Sequence, residues 1–373
     1  MIVLGIETSC DECSAALVED GRRILSNVVA TQIPFHAPFY GVVPEIASRK
    51  HAEWITPVVE SAFREAALDI KDVDGVAVTN RPGLMGALLV GLGFAKGFAW
   101  ARRLPFIACD HLLAHLYAAH LKTENGCCSD LTRDEACKKL RGDKNDKTAK
   151  NDKNEALAYP FLGLLVSGGH SIICKAEDFD TITVLGSSAD DAVGEAFDKV
   201  AKHYGWGYPG GKAIDTLAQS GDSSAFAFPL PKPHEGGPCA LSYSGLKTAV
   251  IHQTRFFCKK QNPVEADIAA SFQKAAVETL IRALIAAVEL SGITTVVAGG
   301  GVAANSYLRK RLAEYKELRC VFPPPELCGD NAAMVAALGW EYLLRGIHSP
   351  FSVSACTRVI NKTRSNKKNA AAP

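Results

Sequence analysis

The 373 residues are 47% hydrophobic, enough for two packed domains of ordinary size and too apolar for a disordered chain. Lys and Arg number 41 against 40 Asp and Glu, a formal net charge of +1, so the totals predict no nucleic-acid or membrane partner and leave any basic surface local. The 12 cysteines lie scattered from Cys10 to Cys356 without paired spacing, which points to reduced thiols rather than a disulfide framework. Residues 1–7 lack the basic n-region of a secretion signal, so a cytoplasmic chain is expected.

Ile2 to Ile6 is a short apolar run that meets Glu7-Thr8-Ser9-Cys10-Asp11-Glu12; Ser14 to Val18 then resumes it and Asp20-Gly21 turns the chain. This predicts strand, polar turn, strand. Such a turn suits phosphate or metal, although many polar turns do no chemistry. Cys10 and Cys13 form a lone C-x-x-C, and the two carboxylates between them disfavour the thiolate that redox or zinc chemistry needs. A helix is expected over 51–66 and a strand over 73–78. Pro82 to Ala95 is uncharged and apolar but shorter than the roughly 18 residues that span a bilayer, so it is expected to be a buried helix. Its glycines suit close helix packing.

Asp110-His111-Leu112-Leu113-Ala114-His115 follows a further apolar run and opens a helix ending near Leu121. Residues four apart share a helix face, so His111 and His115 can aim two imidazoles at one point. The pair alone leaves packing and metal ligation both open. Residues 122–158 turn to Lys, Asp, Asn and Glu and predict a flexible, solvated insertion.

Phe161 to Val166, the turn Ser167-Gly168-Gly169-His170-Ser171 and Ile172 to Cys174 repeat the plan of residues 2–18, which predicts duplicated lobes facing a cleft. Gly168 and Gly169 would expose backbone N–H groups to a phosphate. Asp190 to Val200 is expected to be a helix presenting acids, residues 207–212 a turn, and Asp215 the start of the next helix. A polar loop over 241–248 should precede an amphipathic helix, and a long helix should run from Asp267 to Leu290. A strand over 294–298 ends in Gly299-Gly300-Gly301, with Asn305 at a helix start and its amide expected to be free to read a ribose or base. Asp330 precedes the apolar helix Ala332 to Leu344, where capping is the common role. Residues 357–373 are basic and expected to be a disordered tail.

Glu7-Thr8-Ser9-Cys10-Asp11, His111-x-x-x-His115, Ser167-Gly168-Gly169-His170, Gly194-Glu195-Ala196-Phe197-Asp198-Lys199, Tyr208-Pro209-Gly210-Gly211, Ser242-Tyr243-Ser244-Gly245-Leu246-Lys247 and Gly329-Asp330-Asn331-Ala332-Ala333-Met334, in this order, resemble the TsaD family of tRNA N6-adenosine threonylcarbamoyltransferases, once taken for glycoproteases. The resemblance runs from residue 2 to residue 346 apart from the insertion, in the wording of the bacterial and organellar branch. It implies an α/β, two-lobed actin-like and Hsp70-like ATPase fold with duplicated lobes around a central cleft. The first lobe would comprise residues 1–121 with 326–356, and the second 159–325. It also implies that His111, His115 and Asp330 hold one divalent metal, with Fe(II) favoured and Zn(II) the alternative. Leu165, Val166, Ser167, Gly168, Gly169, Asp198, Gly211, Asp215 and Asn305 would contact threonylcarbamoyl-AMP. The implied partners are tRNA through its anticodon loop, a paralogous noncatalytic TsaB-like subunit and a small TsaE-like ATPase, with no membrane.

In the implied reaction the metal acts as a Lewis acid while the N6 amine of an unstacked adenosine attacks and AMP leaves. Glu12, and after it Asp11, is the candidate base or amine-orienting group. A metallopeptidase is a weak rival, because the segment 111–115 lacks the glutamate of H-E-x-x-H. An actin-fold ATPase would use Mg2+, which prefers oxygen ligands to histidine. A scaffold subunit of a tRNA-modifying complex would not need all three metal ligands.

Overall fold

The computed structural model describes residues 1–39, 41–123, 126–127, 129–130, 158–231 and 237–358. Two sheets organise them. In the first, β1 (Ile2–Glu7), β2 (Glu12–Glu19) and β3 (Arg23–Thr31) form an antiparallel meander, and β4 (Gly75–Arg81) and β5 (Phe106–Asp110) add parallel strands beyond β1, separated in sequence by α1 (Pro44–Ala66) and α2 (Met85–Arg102). The short strands β6 (Lys122–Thr123) and β7 (Gly126–Cys127) extend its far edge.

In the second sheet β8 (Ser129–Asp130) lies at one edge, while β9 (Phe161–Val166), β10 (Ser171–Ala176) and β11 (Ile182–Ser187) form a second meander. Between them run β12 (Thr295–Gly299) and β13 (Arg319–Phe322), parallel to β9. The orders β3-β2-β1-β4-β5 and β11-β10-β9-β12-β13 are the same plan twice. The expected duplicated, two-lobed α/β architecture is therefore present.

The central strands β1 and β9 are covered on both faces, which explains their continuous apolar runs. One face of the first sheet packs on α1 and α2, and the other on α9 (Ala332–Leu344). A Cβ on Gly5 would stand 2.2 Å from the Ala332 carbonyl oxygen, so glycine is what lets α9 lie against β1. Residues 332–338 of α9 are almost fully buried. Burial of side chains such as Met334, Val335 and Leu338 stabilises this docking by roughly 1.5–3 kcal/mol each. The helix α3 (His111–Tyr117) spans the seam, with Leu113, Ala114 and Tyr117 in the core under the first sheet and Leu112 and Leu116 in a cluster with β9, β10 and β12.

Several expectations need correction. The helix expected from residue 51 begins at Pro44, where proline's missing N–H costs nothing in a first turn. The apolar stretch Pro82 to Ala95 is not wholly buried, since Met85 and Leu89 are exposed on the outer face of α2 while Leu88 is buried and Leu92 and Ala95 enter the core. The acids Asp190 and Asp191 precede α4 (Val193–Tyr204) rather than lying on it. Asp215 sits inside α5 (Gly210–Ala218), because the helix starts within the glycine pair that was expected to turn. The loop expected to reach residue 248 ends at α6 (Ser244–His252), and the long helix is α7 (Glu265–Ser291).

Strand pairing also continues past Lys122 through β6, β7 and β8, so the insertion starts later than its composition suggested. Its remainder, residues 131–157, and the tail from residue 359 lie outside the described residues. Among the described residues no helix is long and apolar enough to cross a membrane.

Candidate metal centre

β5 passes into α3 with no intervening loop because Asp110 caps the helix, its Oδ1 accepting from the backbone N–H groups of Leu112 (3.0 Å) and Leu113 (3.3 Å). Arg81 Nε donates to the other oxygen at 3.1 Å. His111 is thereby fixed at the carboxyl ends of the parallel strands β1, β4 and β5, where open α/β sheets place their ligands. The four-residue spacing puts His115 Nε2 3.2 Å from His111 Nε2.

Asp330 completes the group from the opposite direction. Asn331, not Asp330, caps α9: its Oδ1 accepts from Met334 N, and its Nδ2 donates to the carbonyls of Leu327 and Gly329. This corrects the capping reading of Asp330 and leaves its carboxylate to face the histidines. Its Oδ1 lies 3.1 Å from His115 Nε2 and 3.4 Å from His111 Nε2. The α8 helix (Ser306–Ala313) and β13 separate this segment in sequence from the long α7 helix.

The donor set fits a metal ion. Ligand bonds of about 2.0–2.1 Å in four-coordinate geometry put neighbouring donors about 3.3 Å apart, and the three spacings here are 3.1, 3.2 and 3.4 Å. Two nearly buried imidazoles facing each other at this range require a cation or proton between them. Burial works against a charged His111, but the carboxylates of Asp330 and Glu7 outweigh it and hold its pKa well above the ordinary value. Burial and the charge of His111 push His115 down. Burial pushes Asp330 up, and the two histidines reverse this and bring it far below the usual carboxylate range.

Glu7, which sequence reasoning left out of the candidate site, is fully buried at the end of β1 with Oε2 3.0 Å from His111 Nδ1. The available signal was a carboxylate closing an apolar strand, since such a group is stable only when paired.

The turn at residues 8–11 is held from several sides. Thr8 Oγ1 donates to Ala87 O, Leu84 N to Ser9 O, His51 Nε2 to Cys10 O, and Gln32 N to Asp11 O. Asp11 is buried and Glu12 half-buried, with Thr31 Oγ1 donating to Glu12. Burial first, then the charges of Asp11 and Asp330, raise Glu12 well above the usual carboxylate range. Burial pushes the Cys10 thiol up and the Cys13 thiol to about 12, so neither supplies a thiolate at neutral pH.

The second turn differs. Leu165 and Val166 bury their side chains in the two cores of this lobe, so only their backbone can meet a ligand. Ser167 and His170 close the turn on each other, while a Cβ on Gly168, Gly169 or Gly211 would meet nothing within 4 Å. Asp198 accepts from Gly210 N at 2.7 Å, and burial followed by the nearby Asp11 charge moves its carboxyl up to about 6. Burial and the charges of Asp11 and Asp198 also raise the phenol of Tyr208, which stands in a quoted motif but was given no role there.

The Asn305 amide is not free. Its Oδ1 caps Leu308 N, and its Nδ2 donates to Gln273 Oε1 at 3.1 Å and Asp215 Oδ1 at 3.3 Å. Asp215 also accepts from the N–H and hydroxyl of Ser306, so Asn305 and Ser306 together hold Asp215. A polar side chain starting a helix at a buried junction satisfies the helix first.

The family model described as TsaD, tRNA N6-adenosine threonylcarbamoyltransferase, matches residues 23–129 and 146–337. A protein of that name from Treponema denticola is 55% identical over 96% of this chain and 97% of its own length. One from Borreliella burgdorferi is 44% identical over 99% of each chain. Among solved structures, component A of the (R)-2-hydroxyglutaryl-CoA dehydratase from Acidaminococcus fermentans aligns with a TM-score of 0.50 at 13% identity, covering 92% of this chain and 99% of that one. Full-length HypF in its phosphate- and nucleotide-bound form aligns at 0.53 and 13% identity, covering 92% and 55%. These two likenesses concern the actin-like fold alone.

Proposed function

This chain belongs to the TsaD family of tRNA N6-adenosine threonylcarbamoyltransferases, and from that premise we propose that it moves the threonylcarbamoyl group of threonylcarbamoyl-AMP to N6 of the adenosine beside the anticodon, in tRNAs reading codons that begin with A. The observation that carries the proposal is the convergence of His111, His115 and Asp330 inside a chain that matches the family nearly end to end. A tRNA substrate overturns the expectation drawn from the net charge of +1: totals do not report where charge lies, and an anticodon loop entering a cleft needs only a local surface.

His111, His115 and Asp330 would hold one divalent ion, with Fe(II) favoured over Zn(II), and the mixed nitrogen and oxygen set suits both. When bound, the ion supplies a Lewis acid for the carbamoyl carbonyl. The chain's own groups do the rest. Gly168 and Gly169 have open space where side chains would stand, so a phosphate can approach the backbone of this turn. Asp215, steadied by Ser306 and Asn305, contacts the adenylate together with Asp198, Gly211, Asn305 and the segment Leu165, Val166 and Ser167. The N6 amine attacks the carbamoyl carbon, the bond from that carbon to the phosphate oxygen breaks, and AMP leaves with the electron pair.

Glu12, and after it Asp11, takes the amine proton or orients the amine from the first turn. A cation beside Asp330 offsets one of the charges that raise Glu12, which favours its ionised form. We assign residues 1–121 with 326–356 to the first lobe and 159–325 to the second, because α9 docks on the first sheet. A cytoplasmic location, a TsaB-like subunit and a TsaE-like ATPase complete the proposal, on the strength of the family resemblance.

The test is to incubate the purified chain and these partners with threonylcarbamoyl-AMP and unmodified tRNA, then digest the tRNA for mass analysis. Threonylcarbamoyladenosine is the expected product. An unmodified tRNA together with cleavage of added casein would reject the proposal in favour of a peptidase.

A further inference from the structure

We propose that Glu7 is the positioning residue of the metal centre: its carboxylate accepts the Nδ1 proton of His111, fixes the ring, and leaves Nε2 as the donor to the ion. The inference rests on the metal reading given above and deepens it.

Every oxygen of Glu7 is engaged. Oε2 lies 3.0 Å from His111 Nδ1 and accepts from Thr79 Oγ1 at 2.5 Å, while Oε1 accepts from Ser9 N at 2.6 Å. Glu7 and Thr79 are both fully buried. A buried carboxylate needs a charged or strongly donating partner, and His111 is the partner that can carry positive charge. A neutral imidazole has one N–H, so a ring that gives it to Glu7 through Nδ1 presents a lone pair at Nε2. His111 Nε2 is the atom facing His115 and Asp330. A carboxylate on the far nitrogen also raises the basicity of a ligating ring.

The neighbouring ligand lacks this support. His115 Nδ1 is buried with no hydrogen-bond partner among the described residues. The orientation of the pair therefore depends on His111. Glu7 also joins the ligand to the first turn, since Ser9 N binds Oε1 and Ser9 Oγ lies 3.2 Å from His111 Nδ1. One carboxylate thus sets both a ligand and the start of the segment that carries Asp11 and Glu12.

The experiment titrates the full chain with Co2+ alone, in wild-type, Glu7→Gln and Thr79→Val forms, using equilibrium dialysis and the visible absorption of bound cobalt. The unfolding midpoint of each metal-free protein is recorded alongside. Glu7→Gln keeps the shape and removes the charge, and it is expected to weaken Co2+ binding by about 10–100-fold and change the absorption bands. Thr79→Val leaves the carboxylate but takes away its hydroxyl donor, and a smaller loss of affinity is expected. A structural role alone would lower the midpoint and leave affinity and spectrum as in the wild type, which overturns the inference. Should Glu7→Gln fail to fold, unchanged binding by Thr79→Val overturns it equally. A wild type that takes up no Co2+ rejects the metal reading and this inference together, whereas wild-type binding matched by Glu7→Gln rejects this inference alone.

Discussion

The turn at residues 8–11 and the turn at residues 167–170 follow equivalent strands in two copies of one sheet plan, yet their front faces differ. The first carries Asp11 and leads into Glu12, and hydrogen bonds from Leu84, His51 and Gln32 hold its carbonyls. The second carries Gly168 and Gly169, which have open space where side chains would stand. Their backs are alike, for a glycine presses against each turn: a Cβ on Gly83 would lie 2.6 Å from Ser9 O, and one on Gly194 2.5 Å from Ser167 O. The duplication therefore preserves the buttress and varies the face. One face is supplied with acids and fixed beside the candidate metal centre, and the other is left bare of side chains.

The largest effects should come from the shared buttress. Gly83→Ala and Gly194→Ala each force a methyl group into backbone, and each should cost about 3 kcal/mol in urea unfolding. A neutral result at either position would break the equivalence of the two backs. Next, His51→Ala removes the donor to Cys10 O and should cost about 2 kcal/mol, because the carbonyl is left without its partner. Among the described residues no donor from outside the second turn holds its carbonyls, so Gly169→Ala should leave the unfolding midpoint unchanged while raising KM for threonylcarbamoyl-AMP about tenfold, or about 1.4 kcal/mol of binding. Loss of stability without a change in KM would mean that the open face serves packing instead.

The smallest effect concerns how the two turns sense each other. Asp198, beside the second turn, titrates near 6 because of burial and the charge of Asp11. A carboxyl raised above its unfolded value favours the fold below about pH 4, and that contribution is lost as pH rises through about 6. Asp198→Asn mimics the protonated form. It should match the wild type at pH 4 and exceed it at pH 7.5 by about 1 kcal/mol, allowing for solvent screening of a half-buried group. Thermal unfolding at the two pH values measures the difference, and an equal offset at both would reject the electrostatic coupling.

The duplicated plan was legible because each copy announces itself with an apolar strand, a small-residue turn and a returning strand. The histidine pair was legible from its helical period. Periodicity did not supply Asp330; the resemblance did, since a residue before a helix reads as a cap until its neighbour Asn331 is seen to take that role. The position of Asn305 at a helix start was legible, but the partners of its amide, Gln273, Asp215 and the helix end, come from distant segments and were not. Glu7 escaped notice because its partners, Thr79 and His111, come from other strands and helices, and only the folded sheet brings them together. Total charge misled about tRNA because it carries no information on placement.

The proposed chemistry requires His111, His115 and Asp330 to act as one metal centre that serves the transfer reaction. Metal content and threonylcarbamoyl transfer measured on the same preparations of wild type and His115→Ala test this directly. Bound metal and modified tRNA are expected to fall together in the variant, with the fold retained. Full transfer activity in a metal-free His115→Ala protein would contradict this requirement.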